Sequence, residues 1–236
     1  MLITPLVPAT EAARLACLRH YDVLPFLRED VFDEFVSLAA RIFSLPISLF
    51  NLVDAHQVMA QAQYGMPGSA PQPRAEALCS MVVAQNHQVV YHDLAASPQT
   101  PAAALAIQAA LAQRIRFYAG APVRLSSQHS IGALCLLDQQ PREFTPEEQH
   151  VLQALADTVS QAILARHYHR TTLGLGEAPW QTLRTQLHDE VQALGALVRY
   201  LLTRYGTLSP VPDEILHLVL RRLADLRALL QTQHKD

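Results

Sequence analysis

The sequence predicts an α+β domain followed by a pair of long helices. Short apolar runs bounded by turn residues occur together with helical patterns over 1–170. Glycines and a proline cluster at 171–179, and leucines recur at heptad spacing over 180–236. We therefore expect an antiparallel sheet flanked by helices at 1–170, a linker at 171–179 and a helical hairpin at 180–236.

Composition limits the class of protein. The chain has 236 residues, of which half are hydrophobic and 17% are charged, with a formal net charge of -3. This composition forms a core and argues against disorder and against nucleic-acid binding. No apolar run reaches the ~20 residues that cross a bilayer, and the first residues lack the basic start of a signal peptide. We expect a cytoplasmic protein that does not bind membranes.

Periodicity and chain breakers place the individual elements of the first domain. Two helices are expected within 10–43, where Thr10 and Glu11 can cap the first. A long helix is expected from Thr145, because a cap residue, a proline and two acids follow one another there. Strands are expected at 47–53, 58–64, 89–91, 117–125 and 130–137, and short helices at 77–85 and 102–112.

The last sixty residues carry two apolar seams separated by the breaker at 206–212. A narrow hairpin buries two such seams poorly by itself, so we expect it to pair with a second copy. The result would be a homodimeric four-helix bundle. The seam positions are Leu187, Val191, Leu194, Val198 and Leu201 in the first helix, and Leu216, Val219, Leu223, Leu226 and Leu230 in the second.

Cysteine and histidine spacing does not indicate a metal site. Cys17, Cys79 and Cys135 are scattered and form neither a disulfide framework nor a zinc pattern. We interpret Cys79 and Cys135 as inert buried thiols, because both lie in apolar runs. His167 and His169 are two residues apart on a predicted helix and point to different sides, so no metal pair is expected there.

The order of elements in 10–168 resembles the GAF family of small-molecule sensor domains. Several local motifs carry this resemblance: Arg14-Leu15 with Tyr21-Asp22, Phe32-Asp33, Pro46-Ile47-Ser48-Leu49 with Leu52-Val53-Asp54, Leu78-Cys79, Val89-Val90 with Asp93, Arg116 to Pro122, and Ile131 to Asp138 with Pro141-Arg142. The resemblance implies a cavity between the sheet and the segment that covers it. It does not identify a ligand or a cofactor, because the family's ligands are diverse.

Within that family the sequence departs from several known ligand types. Bilin-carrying members usually place histidine directly after the chromophore cysteine, whereas Ser80 follows Cys79 here. The cysteine set of the methionine-sulfoxide-reducing members and the cyclic-nucleotide signature are also absent.

Six residues at matching positions are the candidates for a ligand site. Asp93 could accept from a ligand donor and Arg116 could meet an anion. The alternative is that Asp93 caps a turn, Arg116 is solvated and Phe117 belongs to the core. The candidates are Cys79, Ser80, Asp93, Arg116, Phe117 and Tyr118.

The hairpin resembles the dimerisation and phosphoacceptor helices of nitrate-sensor-like bacterial histidine kinases. The resemblance rests on Leu187-His188-Asp189-Glu190 and implies His188 as the phosphorylated residue, with Asp189 orienting its ring. The glutamine expected five residues after the histidine is displaced, since Gln192 comes at four and Ala193 at five. No ATP-binding domain follows, so we expect no autophosphorylation. The alternative is that His188 is an ordinary polar residue on a helix flank.

Together these observations predict a signal-transduction protein of the two-component type that is not an enzyme by itself. A GAF sensor would be coupled to a dimerising, kinase-like hairpin. One alternative is a phosphotransfer protein that uses His188 with a separate kinase or response regulator. A second alternative is an architectural dimer whose GAF domain binds no ligand.

Overall fold

The computed structural model describes residues 7–21, 23, 29–66, 70–97, 100–126, 129–171, 178–206 and 209–232. Seven α-helices and six strands are assigned within these ranges. None of the described helices combines the length and the apolarity needed to cross a membrane.

A six-stranded antiparallel sheet forms the centre of the first domain. Its spatial order is β3-β2-β1-β6-β5-β4. β1 is buried along its whole length, because helices cover both faces of the sheet. The strands are β1 Ile47–Val53, β2 Gln57–Tyr64, β3 Gln72–Pro73, β4 Val89–Tyr91, β5 Phe117–Ser126 and β6 His129–Asp138.

The helices divide between the two faces of this sheet. Helices α3 (Cys79–Gln85) and α4 (Ala104–Ala112) share one apolar cluster with one face. Helices α2 (Asp30–Ile42) and α5 (Pro146–Thr171) share a second cluster with the other face. Helix α1 (Glu11–His20) also contributes to the second cluster, through Leu18.

Strand alternation decides which side chains reach which face. In β6, Cys135 belongs to the cluster on the α3 side, whereas its neighbours Leu134 and Leu136 belong to the cluster on the α5 side. In β5, Tyr118 and Phe117 separate in the same way. This period of two is a property of extended backbone, and it determines which predicted residues can meet.

The C-terminal hairpin lies on the helical face of the first domain. Its helices are α6 (Ala178–Tyr205), which packs mainly on α2, and α7 (Asp213–Thr232), which packs mainly on α5. Within this single chain, nine of the ten seam positions are at most 3% exposed, and Leu201 is partly buried.

These contacts correct the physical reason for expecting a second copy. The hairpin does not need another protomer to cover its leucines, because α2 and α5 of the same chain cover them. The bundle that forms is intramolecular. The packing argument for a second copy is therefore lost, and homodimerisation itself stays a prediction.

Two carboxylates tie the hairpin to the first domain. Glu29 accepts a hydrogen bond from Trp180 Nε1, 2.7 Å away at the start of α6, and another from Arg166 of α5. Glu148, which is fully buried, accepts from the backbone N–H of Val211 at 3.2 Å, in the turn before α7. The start of α6 and the turn before α7 are thus each fixed by an acid that belongs to the sheet domain.

The predicted elements agree closely with the observed ones. All five expected strands are present, and the unpredicted β3 has only two residues. The segment between α5 and α6 is shorter than the predicted linker, because α5 continues to Thr171 and α6 begins at Ala178. Gly174 and Gly176, on which the linker prediction rested, lie outside the described residues, as does Asp22 of the first motif.

Candidate functional site

A small cavity lies between the sheet and the layer formed by α3 and α4. It has a volume of about 60 Å³. Apolar side chains of α4, β1 and β6 form most of its wall, including Ala106, Ala110, Leu49 and Leu137. Because a cavity of this size accepts only a few water-sized molecules, it is far smaller than the ~300 Å³ of an ordinary ligand pocket.

Four polar side chains meet at the sheet side of this cavity. Tyr118 and Cys135 are adjacent, with the phenol oxygen 3.3 Å from Sγ. Asn51 donates from Nδ2 to the Sγ of Cys79 over 3.8 Å. All four side chains are at most 9% exposed, so their hydrogen bonds form away from bulk water.

Gly120 makes the position of the Tyr118 ring possible. A Cβ at this position would lie 2.4 Å from the Tyr118 hydroxyl and 2.8 Å from Cγ2 of Val82. The absence of a side chain therefore lets the phenol lie across β5 towards Cys135.

Burial keeps the Tyr118 phenol and the Cys135 thiol neutral. Desolvation raises the pKa of Tyr118 well above its usual value, and the neighbouring Cys135 and Cys79 raise it further. Desolvation is also the main cause that raises the pKa of the Cys135 thiol, and a hydrogen bond with Cys79 raises this pKa further. The cavity therefore presents a phenol and a thiol that stay protonated at neutral pH.

Two of the six predicted ligand residues line this cavity, namely Cys79 and Tyr118. Ser80 is fully buried next to Cys79 but donates its hydroxyl to the Arg74 carbonyl at 2.7 Å. Phe117 packs on the opposite face of the sheet, 5.6 Å from the ring centre of Phe144. The expectation that all six residues face one cavity does not hold, because neighbouring strand residues face opposite sides.

Asp93 and Arg116 form an ion pair outside the cavity. Two hydrogen bonds of 2.7 and 2.6 Å join the guanidinium of Arg116 to the carboxylate of Asp93, which also accepts from the Ala95 N–H. These bonds from Arg116 lower the pKa of Asp93. The pair fixes the turn that follows β4, so each residue is the other's partner in this structure.

His188 lies on the exposed flank of α6, as the heptad position predicted. Its side chain is 52% exposed, and its Nδ1 contacts the carboxylate of Glu34 on α2. Asp189 is exposed, and no described hydrogen bond joins it to His188. Glu34 therefore occupies the place that the sequence analysis gave to Asp189.

Sequence reasoning missed Asn51, Cys135 and Glu34. Asn51 is the only amide in the apolar run of β1, and a period of two places it on the same face as Leu49. That signal could have identified it. Glu34 could not be found in this way, because the contact between α2 and α6 joins residues more than 150 positions apart.

Comparison with known proteins identifies the family to which this fold belongs. Residues 27–163 match the GAF domain family, and the chain belongs to that family. GAF domains are signalling and sensor domains, which places the protein in signal transduction.

One curated relative is a cyclic di-GMP phosphodiesterase of Pseudomonas aeruginosa, which is 26% identical over 220 residues. The match covers 93% of this chain but 35% of the relative, so the chain spans about a third of the relative's length.

Solved structures of similar shape have low sequence identity. The GAF domain of an Acinetobacter phosphoenolpyruvate-protein phosphotransferase is 18% identical with a TM-score of 0.48, covering 67% of this chain and 94% of that one. Free methionine-R-sulfoxide reductase of Neisseria meningitidis is 18% identical with a TM-score of 0.46, covering 74% of this chain and all of that one.

Proposed function

We propose that this protein is a sensory module whose GAF cavity responds to a small molecule and whose C-terminal hairpin reports that response. One observation carries the proposal: the cavity lies against one face of the sheet, and the hairpin packs on α2 and α5, the helices that cover the other face. A change in the cavity can therefore reach the hairpin through the strands without any movement of the linker.

The route runs through neighbouring residues of β5. Tyr118 faces the cavity and Phe117 faces the helices, where its ring contacts Phe144. Phe144 precedes the cap of α5, in which Glu148 holds the Val211 N–H of the hairpin. A shift of β5 would therefore change how firmly the hairpin turn is held, which is a population shift between docked and released hairpins.

Cavity size constrains the class of ligand. About 60 Å³ suits a molecule of a few heavy atoms. A second messenger as large as cyclic di-GMP would need the cavity to open widely. We infer that the module takes a small ligand and serves second-messenger signalling as a regulator rather than as the phosphodiesterase. Similarity to the Pseudomonas enzyme along 93% of this chain supports a regulatory unit that includes the hairpin.

Dimerisation belongs to this proposal as a property of the released state. When the hairpin is docked, its leucines are covered by α2 and α5. When it is released, the same leucines become available to a second copy, as the heptad pattern predicts. Ligand-dependent dimerisation would then be the output, with a kinase or another signalling protein as the partner.

A filled cavity can be imitated by mutation, which tests the coupling directly. Ala110→Leu projects three extra carbons into the cavity from α4, whereas Ala112→Leu adds them on the exposed side of the same helix. Trp180 is the chain's single tryptophan, and it is buried at the start of α6 against Glu29, so its fluorescence reports how the hairpin docks on the first domain. We expect Ala110→Leu to shift Trp180 emission and to speed amide exchange in α6 and α7, and Ala112→Leu to do neither. A folded Ala110→Leu protein with unchanged emission and exchange contradicts the coupling.

Ligand binding is tested by thermal shift with nitrate, acetate, glycine and cyclic di-GMP as probes. We expect a small probe, and not the nucleotide, to raise the melting temperature of the wild-type protein and of Ala112→Leu. Ala110→Leu should abolish the effect, because it occupies the same space. Stabilisation by cyclic di-GMP alone would contradict the size argument.

Phosphotransfer through His188 is a second candidate function, which the contact with Glu34 favours. A carboxylate on Nδ1 orients the imidazole, so Nε2 is the nitrogen that a phosphoryl donor would meet. The test uses a response regulator phosphorylated on aspartate as the donor. Label should appear on the wild-type chain, fall strongly in Glu34→Gln and vanish in His188→Ala. Equal labelling of wild type and His188→Ala contradicts this function.

A further inference from the structure

Two of the three cysteines of this chain share the cavity. Cys79 comes from the first turn of α3 and Cys135 from the middle of β6, and both line the same small space. The third, Cys17, lies on α1, packed against the cluster on the other face of the sheet. The fold therefore brings two thiols that are 56 positions apart in the chain to one cavity and leaves the third outside it.

Each paired sulfur has its own polar neighbour. Asn51 donates to the Cys79 sulfur over 3.8 Å, and the Tyr118 hydroxyl lies 3.3 Å from the Cys135 sulfur. A donor beside a sulfur stabilises the thiolate that forms when the thiol reacts. The remaining wall is largely apolar, and nothing in the proposed sensory role uses the sulfur chemistry.

From this arrangement we propose that Cys79 and Cys135 are not the inert thiols expected from the sequence but a redox-active pair, oxidised to a disulfide by a small peroxide that enters the cavity. The cavity volume of about 60 Å³ admits hydrogen peroxide and excludes bulky organic oxidants. This site goes beyond the proposed function, because it stands whether or not the hairpin reports the state of the cavity.

The reaction balances in two steps. The Cys79 thiolate attacks one peroxide oxygen, so that an S–O bond forms, the O–O bond breaks and one water leaves after proton uptake. Cys135 Sγ then attacks the sulfenic sulfur, so that the S–S bond forms, the S–O bond breaks and the second water leaves. In sum, two thiols and one hydrogen peroxide give one disulfide and two waters. The cysteine pair loses two electrons and the peroxide gains them.

The surroundings assign the two roles. The Asn51 amide has a hydrogen to donate to Cys79, which suits the attacking sulfur. Burial and the neighbouring Cys79 raise the pKa of Cys135, which makes it the slower nucleophile towards peroxide. Cys135 therefore acts as the resolving thiol, once Cys79 has been oxidised.

The test counts thiols in the full chain after peroxide treatment. Purified protein is exposed to hydrogen peroxide, denatured and alkylated, and its mass then gives the number of remaining thiols. We expect the wild type to fall from three alkylated cysteines to one, with a peptide that links Cys79 to Cys135. Cys17→Ser is the matched control and should form the same link at the same rate.

Two serine variants separate the roles of the paired sulfurs. In Cys79→Ser we expect the Cys135 thiol to stay alkylatable. Peroxide should consume it at least about tenfold more slowly than in the wild type. In Cys135→Ser we expect a sulfenic acid on Cys79 that a 1,3-dione captures. Serine is close in size to cysteine, and circular dichroism confirms that each variant is folded.

Three outcomes would overturn the proposal. The first is three alkylatable thiols in the treated wild type, and the second is a disulfide that includes Cys17. The third is a Cys79→Ser protein in which peroxide consumes the Cys135 thiol as fast as in the wild type. The mass measurement is independent of Trp180 emission. A disulfide that leaves Trp180 emission unchanged would therefore count against the hairpin coupling and not against the thiol pair.

Discussion

Replacing Glu148 tests the connection between the hairpin and the sheet domain most directly. Its carboxylate is fully buried and accepts from three donors, two in the segment before α5 and one in the turn before α7. These are the Arg142 guanidinium at 2.5 Å, the Thr145 N–H at 2.9 Å and the Val211 N–H at 3.2 Å. The Thr145 hydroxyl in turn accepts from the Glu148 N–H at 3.1 Å, which completes a capping box.

The size of the effect follows from what Glu148→Ala leaves behind. Arg142 is 7% exposed at its side chain and would lose its carboxylate partner. Removing one member of a buried pair costs ~3–5 kcal/mol, and losing a helix cap costs ~1 kcal/mol. Because Arg142 also donates to the Phe43 carbonyl and the two losses are not additive, we expect a decrease of about 3 kcal/mol in the free energy of unfolding.

Urea unfolding followed by circular dichroism and by Trp180 fluorescence measures this decrease. Glu147→Ala is the matched control, because Glu147 is the exposed neighbour on the same helix turn, and such surface changes stay within ~0.5 kcal/mol. We also expect the Val211 amide to exchange faster with solvent in Glu148→Ala. If Glu148→Ala lies within about 1 kcal/mol of Glu147→Ala, the hairpin is not held in this way.

Three further changes test other parts of the structure. Burial alone would raise the pKa of Glu11, but bonds and charges from Arg14 and Arg74 lower it from 4.5 to about 2. We therefore expect stability to fall as the pH drops from 4.5 towards 2, and acid titration should show a smaller loss in Glu11→Gln. Gly195→Ala should raise the free energy of unfolding in urea by ~0.5–1 kcal/mol, because alanine loses less conformational entropy than glycine when a helix forms. The new Cβ has room, since its nearest neighbour, Arg41 Nη1, would lie 3.5 Å away. A decrease would mean that α2 and α6 pack more tightly than this distance indicates. Burial lowers the pKa of His169 below 6.5, so wild-type stability should decline below pH 6.5 by up to ~1.4 kcal/mol per pH unit, and an equal decline in His169→Leu would refute this assignment.

Much of the fold was determined by local patterns in the sequence. The run at 47–53 became β1 with the predicted bounds, because turn residues flank an apolar stretch too short for a buried helix. The cap at Thr145 likewise marked the start of α5, since capping depends on neighbouring residues alone. The heptad leucines of α6 and α7 also correctly predicted two buried seams.

The tertiary structure decided what those seams contact and which polar groups meet. The leucine pattern specifies a buried stripe without specifying its partner, and only the fold brings α2 and α5 to cover it. In the same way, Cys79 and Cys135 become neighbours, and Glu34 reaches His188, through packing between distant segments. Local spacing fixes which face of an element a residue occupies, whereas contact between elements depends on how the whole chain buries its apolar surface.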